Sequence, residues 1–206
     1  MTRASMLFSA LIATVLLCAP GTQAEQATGA VVGDSAPDFS LIDTAGNKHA
    51  LSDYKGKYVV LEWLNHDCPF VKKHYAGNMQ QLQKTYTAKG VAWLSICSSA
   101  PGKQGHYDPA GAAKLTADKG ASPTAVLLDP DGTVGREFGA KVTPHMFIID
   151  PDGKLIYQGA IDDVPSTKSA DVAGATNYVA QVLDAAMAGQ PVPRSSTKAY
   201  GCSVKY

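Results

Sequence analysis

The sequence predicts an α/β fold: a mixed central sheet flanked by helices on both faces, with a β-hairpin extension at its N-terminal side. Three features predict it. Two nearly continuous apolar runs, Tyr58 to Leu64 and Val91 to Ile96, mark central strands covered on both faces. Strand and helix patterns alternate through the middle of the chain, which implies crossover helices between parallel strands. Two late strands flank the turn Asp150-Pro151-Asp152-Gly153 and so pair antiparallel.

The elements follow in order. A loop ending in Ala36-Pro37 leads to Asp38-Phe39-Ser40-Leu41, a turn at Thr44-Ala45-Gly46-Asn47 and a return at His49 to Leu51, which is the hairpin. After the first central strand comes Cys68-Pro69. From Phe70 to Lys89 the residues Val71, Tyr75, Met79, Leu82 and Tyr86 recur at three- and four-residue intervals, so one amphipathic helix with proline at its first position is expected. The second central strand runs into the loop Cys97 to Gly105, then a helix over about 109–119 and a strand over 124–128. A short helix follows Asp129-Pro130-Asp131-Gly132. The hairpin strands 144–149 and 154–158, a polar stretch, a final helix over about 177–187 and a Pro- and Ser-containing tail complete the chain.

The first residues carry Arg3, an apolar run from Leu7 to Ala19, the breakers Pro20-Gly21 and a small-residue end at Ala24. That pattern is a secretory signal peptide over residues 1–24. The run is shorter than the roughly 20 apolar residues a membrane anchor needs, so a periplasmic or secreted protein is expected. One domain over 31–190 and a tail over 191–206 account for the remainder. The chain has 206 residues with 18 basic and 18 acidic side chains, no basic stripe and no second apolar span. Neither nucleic acid nor membrane insertion after signal removal is expected of its partners.

Of four cysteines, Cys18 leaves with the signal, so Cys68, Cys97 and Cys202 remain. An odd number in an oxidising compartment points to a free, reactive thiol or to a partner outside the chain. Cys68 stands where a strand meets a helix, and unpaired N–H groups there favour an anion. Lys72, Lys73 and His74 lie in the first turns of the same helix, as cations able to favour the thiolate or as a solvated face. Glu62 interrupts a central strand, where a carboxylate is costly unless paired or protonated. Cys97 and Cys202 are both candidates to resolve an oxidised Cys68, Cys202 being preferred because its tail is expected to be a mobile segment; a Cys97–Cys202 bridge is the opposing arrangement, and the sequence leaves these connectivities open. The residues Cys68, His66, His74 and His145 lack the paired spacing of a metal centre, and no metal or cofactor is expected.

Three blocks together carry a family resemblance: PDFSLIDTAGNKHALSDYKGKYVVLEW, NHDCPFVKKHY and VTPHMFIIDPDGKLIYQG. In order and separation they resemble the thioredoxin-fold redoxins, nearest to the peroxiredoxin-like (AhpC/TSA-related) group with a single cysteine at the CxxC position. The SSAPGKQG loop and the YGCSVKY tail are similar to that group as well.

The resemblance implies a thioredoxin-like fold and a catalytic role for Cys68. It also implies a cis bond between Thr143 and Pro144, with the Thr143 backbone offered to a substrate, and a buried proton acceptor at Glu62, six residues before the cysteine. Departures matter too. The second CxxC place is Val71, so no disulfide forms within the motif. Where peroxiredoxins carry Pro and Thr or Ser before their cysteine, this chain has Leu61 and Asn65, and Pro144 stands in place of an Arg. The expected function is an exported thiol-dependent oxidoreductase whose Cys68 thiolate reduces peroxides or exchanges disulfides, reset by an external thiol reductant. The alternative is a redox-inactive binding or assembly module of the cell envelope.

Overall fold

The structure, a computed structural model, describes Met1 and residues 29–206; apart from Met1, the expected signal peptide lies outside the described residues. Its strands are β1 (Ser40–Asp43), β2 (Lys48–Ala50), β3 (Val59–Trp63), β4 (Ala92–Cys97), β5 (Ala125–Leu128), β6 (Val142–Thr143), β7 (His145–Ile149), β8 (Leu155–Gly159) and β9 (Cys202–Ser203). The helices are α1 (Pro69–His74), α2 (Asn78–Ala88), α3 (Pro109–Asp118), α4 (Thr133–Phe138) and α5 (Tyr178–Met187). Seven strands form one sheet in the order β2-β1-β5-β4-β3-β7-β8. The strands β3, β4 and β5 are mutually parallel, while β1, β7 and β8 join antiparallel. This is the expected mixed sheet, with the N-terminal hairpin attached through β1 to β5.

Alternation along β3 decides the two cores, because successive side chains point to opposite faces. Val59, Leu61 and Trp63 join Leu94, Ile96, Leu127, Phe138 and Phe147 on one face, under α4 and the hairpin. Val60 faces the other way, with Trp93, Met146 and Ile148, under Val71 of α1, Met79 and Leu82 of α2 and Val179 and Val182 of α5. Glu62 lies on that second face by the same alternation.

The single helix expected over 70–89 is two. α1 ends at His74 with Tyr75 as its C-cap, and Gly77 takes φ 131°, a backbone conformation that suits glycine, before α2 begins at Asn78. The apolar spacing continues across the break, which is why periodicity alone does not reveal it. α3 and α5 start as expected from polar caps, Asp108 accepting from Gly111 N–H and Asn177 from Ala180 N–H.

The tail, expected as a mobile segment, is stitched to the domain. Ser195 O accepts from Gln158 N–H, and Thr197 N–H donates to Gln158 O. The Thr197 hydroxyl bonds Ala160 N–H at 2.9 Å and Tyr157 at 2.6 Å. Further on, β9 pairs antiparallel with β6, setting Cys202 opposite Thr143. Val204 N–H donates to Lys141 O, Lys205 O accepts from Ala100 N–H, and the Tyr206 hydroxyl donates to Ala140 O.

Candidate active site

The nucleophile's position is built locally. After β3, Asn65 closes a turn: its side-chain oxygen accepts from Asp67 N–H at 2.9 Å, and its carbonyl accepts from Cys68 N–H at 3.0 Å. Polar residues of this type bond their own backbone two residues on and so favour turns. Cys68 is then the N-cap of α1, with Pro69 at the first helical position and Lys72 N–H closing the first helical bond to Cys68 O.

Tertiary structure supplies the remainder. The Thr143–Pro144 bond is cis, and both residues are buried. The Cys68 thiol donates to Thr143 O at 3.1 Å. Its sulfur lies 2.8 Å from the Cys202 sulfur, and both cysteines are free thiols. That separation is within about 1 Å of a disulfide bond length. Cys68 is fully buried, and its helix neighbour Val71 packs beside it.

Burial by itself pushes the Cys68 thiol up. The neighbouring Cys202 thiol and the nearby backbone N–H groups of Val71 and Cys202 favour the anion and outweigh that, leaving Cys68 below the ordinary thiol value. Cys202 moves the opposite way, to about 11, through burial and the neighbouring Cys68 sulfur. The pair is therefore asymmetric, with Cys68 the more acidic of the two thiols.

The other residues singled out in the sequence are distributed as follows. Glu62 is fully buried, and its two oxygens accept from Tyr75 OH (2.8 Å), Gln83 Nε2 (3.3 Å), Trp93 Nε1 (2.8 Å) and Ser95 Oγ (2.9 Å). Burial still raises its pKa against those four donors. None of the four bonds involves Cys68. Cys97 is packed with Leu64, Ala112 and Val126, and burial lifts its thiol to about 12, so it is a protonated core residue with no bond to Cys68.

Lys72 is exposed and bonds nothing at the sulfur. Lys73 is fully buried and gives its charge to Asp162 at 2.8 Å. His74 is also fully buried, and desolvation with the nearby Lys73 charge holds it at about 4, so it is neutral at pH 7. The structure thus gathers Cys68, Thr143, Pro144 and Cys202, and directs Lys73 and His74 to a different partner, Tyr200. The sequence reading missed Tyr200, Asp162 and Gly201. The signal available was the aromatic residue and glycine placed immediately before Cys202.

Two buried side-chain atoms of the described residues lack a hydrogen-bond partner: Thr143 Oγ1, in the residue that faces Cys68, and His66 Nδ1, whose ring stands edge-on to Tyr75 at 4.9 Å. Burial holds His66 at about 4, hence neutral. Among the described residues no group of three or more His, Cys, Asp or Glu is placed to hold a metal ion. No described helix is long and apolar enough to cross a membrane.

A mixed sheet whose central strand delivers a cysteine to a helix start, opposite a cis-proline, defines the class of thioredoxin-fold redoxins. Within that class the chain belongs to the AhpC/TSA family, whose model matches residues 32–158. It is similar to the thiol-disulfide oxidoreductase ResA of Geobacillus kaustophilus (strain HTA426), 36% identical over 74 residues, which are 36% of this chain and 42% of that protein. The chain therefore spans less than half the length of the curated relatives it matches. Its structure is similar to that of an uncharacterized conserved protein from Geobacillus kaustophilus, with TM-score 0.74 and 28% identity over 90% of this chain and 97% of that one. The thioredoxin domain of a thiol-disulfide oxidoreductase from Bacteroides vulgatus shares the fold, with TM-score 0.52 and 20% identity over 70% of this chain and 96% of that domain.

Proposed function

We propose that this chain is an exported thiol–disulfide oxidoreductase in which Cys68 and Cys202 form the redox pair. The observation that carries the reading is the 2.8 Å approach of the two sulfurs across 134 residues of sequence. Cys202 takes over the task that the second cysteine of a CxxC motif performs elsewhere, since Val71 occupies that place. Export rests on the signal-peptide pattern of residues 1–24.

The chemistry follows the asymmetry of the pair. The Cys68 thiolate attacks one sulfur of a partner disulfide, forming a mixed disulfide and expelling the partner's other sulfur as a thiolate. Cys202 then loses a proton and attacks Cys68 Sγ, which releases the second partner thiol and leaves a Cys68–Cys202 disulfide. An external thiol reductant restores the dithiol with two electrons. Cys68 attacks first because it is the more acidic thiol and gives up its proton more readily, whereas Cys202 is held at about 11.

Peroxide reduction is the second reading, supported by membership of the AhpC/TSA family. In it the Cys68 thiolate attacks one peroxide oxygen, the O–O bond breaks, the other oxygen leaves as water or an alcohol, and Cys202 then condenses with the Cys68 sulfenic acid to form the disulfide and release a further water. The positions held by Leu61, Asn65 and Pro144 depart from the peroxide-polarising set that the family resemblance implies, which favours exchange. A redox-inactive binding module is the third possibility and requires an unreactive Cys68.

The experiment is to add one equivalent of oxidised glutathione, or of hydrogen peroxide, to the reduced protein and to Cys68→Ser, and to map disulfides by intact mass and peptide digestion. A Cys68–Cys202 bond formed faster with glutathione disulfide supports exchange. Faster formation with peroxide moves peroxide reduction ahead, and no bond with either oxidant sinks the redox reading.

A further inference from the structure

The exchange proposed above requires Cys202 at Cys68, yet only Cys202 and Ser203 pair as a strand with β6. A two-residue ladder returns less than the freedom lost by ordering the segment that carries it. Side chains flanking the cysteine must hold the tail down, and Tyr200 is placed to do so.

The Tyr200 ring stands edge-on to Phe70 at 5.7 Å and beneath Lys73 Nζ at 5.4 Å. Its hydroxyl bonds Lys73 Nζ and His74 Nε2, each at 3.2 Å, and donates to Asp162 Oδ1. Phe70, Lys73 and His74 are spaced three and four apart on α1, hence on one face of the helix that begins at Cys68. Only Gly201 stands between Tyr200 and Cys202, so at most roughly 7 Å of chain joins them. The grip on Tyr200 therefore fixes where Cys202 falls relative to Cys68.

The ion pair beneath supplies the reason for the grip. Both members of the Lys73–Asp162 pair are buried, and a buried pair is tolerated only when its remaining hydrogen-bonding groups are met. Lys73 donates to Asp162, to Val164 O at 2.6 Å and to the Tyr200 hydroxyl. Asp162 accepts from Lys73, from Val164 N–H and from Tyr200. One partner of each charge thus comes from the tail, and lifting the tail leaves both charges short of a bond.

We propose that Tyr200, docked on the buried Lys73–Asp162 pair, is a positioning residue: a latch that holds Cys202 at Cys68 in the dithiol state and so sets the dithiol–disulfide equilibrium of the pair. In the disulfide the tail is tethered covalently. In the dithiol only noncovalent contacts maintain the effective concentration of one thiol at the other, and Tyr200 supplies the one that sits on the Cys68 helix itself. Without it the segment around Cys202, held on either side by Thr197 and Tyr206, loosens in the reduced protein, the disulfide loses ground to the freed dithiol, and the Cys68 sulfur becomes accessible.

The reaction to measure is the dithiol plus oxidised glutathione giving the Cys68–Cys202 disulfide and two reduced glutathiones, the two electrons and two protons passing to glutathione. Wild type, Tyr200→Phe and Tyr200→Ala are equilibrated across a series of glutathione ratios at pH 7, acid-quenched and counted for thiols by mass. Iodoacetamide labelling of Cys68 is timed on each reduced protein, with circular dichroism confirming the fold. The expected result is an equilibrium constant for disulfide formation at least tenfold lower in both variants, about 30 mV for this two-electron couple, with Cys68 labelling at least tenfold faster. If wild type forms the disulfide while both variants titrate within twofold of it and label at its rate, the latch is overturned and the exchange reading stands. A shift in Tyr200→Ala alone overturns the role of the ion pair. If wild type forms no Cys68–Cys202 disulfide at any ratio, the exchange reading and the latch both fall.

Discussion

Gly201 lies against the carbonyl group of Thr143, so close that a Cβ on Gly201 would collide with that oxygen, and it takes φ 151°. Cys68 donates to the same oxygen. The residue before Cys202 is thus required to have no side chain if the tail is to reach the nucleophile. Gly201→Ala is expected to slow Cys68–Cys202 disulfide formation by about tenfold or more, since one kcal/mol and a half of strain or displacement already gives about that factor. Stopped-flow oxidation by glutathione disulfide checks it, and an unchanged rate would mean that the tail can close by another path.

Cys202 also supports the Cys68 thiolate. In Cys202→Ala the thiol hydrogen bond to Cys68 is gone while burial remains, so the Cys68 pKa is expected to rise. Thiolate absorbance at 240 nm, followed against pH in wild type and variant, reads the shift directly. A downward shift would mean that the loss of covering tail, which admits water, outweighs the lost bond.

Glu62 titrates inside the core. Its folded pKa is raised, so the folded state binds its proton more tightly than the unfolded chain does. The stability it contributes is fully present below the ordinary carboxylate value and is lost as pH rises through the folded value. Glu62→Gln is expected to remove that slope from denaturant midpoints measured against pH, and to leave the pH profile of Cys68 alkylation unchanged because no Glu62 bond reaches the sulfur. A shifted alkylation profile would reinstate Glu62 as a proton acceptor for the thiol.

Three buried histidines, His66, His74 and His145, are held at about 4 against an ordinary 6.5, in each case chiefly by burial. Their folded pKa values are depressed, so the unfolded chain binds protons first. The stability present above about pH 6.5 is lost as pH falls toward 4. Thermal midpoints should drop steadily across that window, and His74→Asn should shallow the drop. A flat profile would show that the rings ionise without unfolding anything.

Removing one member of the Lys73–Asp162 pair strands the other. Lys73→Met leaves the Asp162 carboxylate buried with Val164 N–H and Tyr200 as partners, and an unpaired buried charge costs about 3–5 kcal/mol. Urea unfolding measures it, and Lys73→Met/Asp162→Leu should recover much of the loss. Strict additivity of the two changes would deny that the pair is coupled.

Much of the fold was legible because it is encoded locally. Tyr58 to Leu64 reads as a buried strand from its own composition, and Gly153 closes a hairpin turn that its neighbours also favour. The break at Gly77 was not legible, since the apolar positions of α1 and α2 keep one period across it. Nor was the allegiance of Lys73: beside Cys68 in sequence, its ammonium turns instead to Asp162, 89 residues on.

The sequence by itself determined that this chain forms a mixed, helix-covered sheet and that Cys68 opens a helix at the end of a central strand, because apolar period, turn chemistry and Pro69 act within a few residues. Only the tertiary structure decided which thiol meets Cys68. Cys97 and Cys202 are equivalent as letters, but one is the last residue of a buried strand and the other is carried on a tail whose path is fixed by Thr197, Tyr200, Gly201 and Tyr206. Such contacts join residues far apart in the chain, where shape and hydrogen-bond complementarity select the partner and no local period records it.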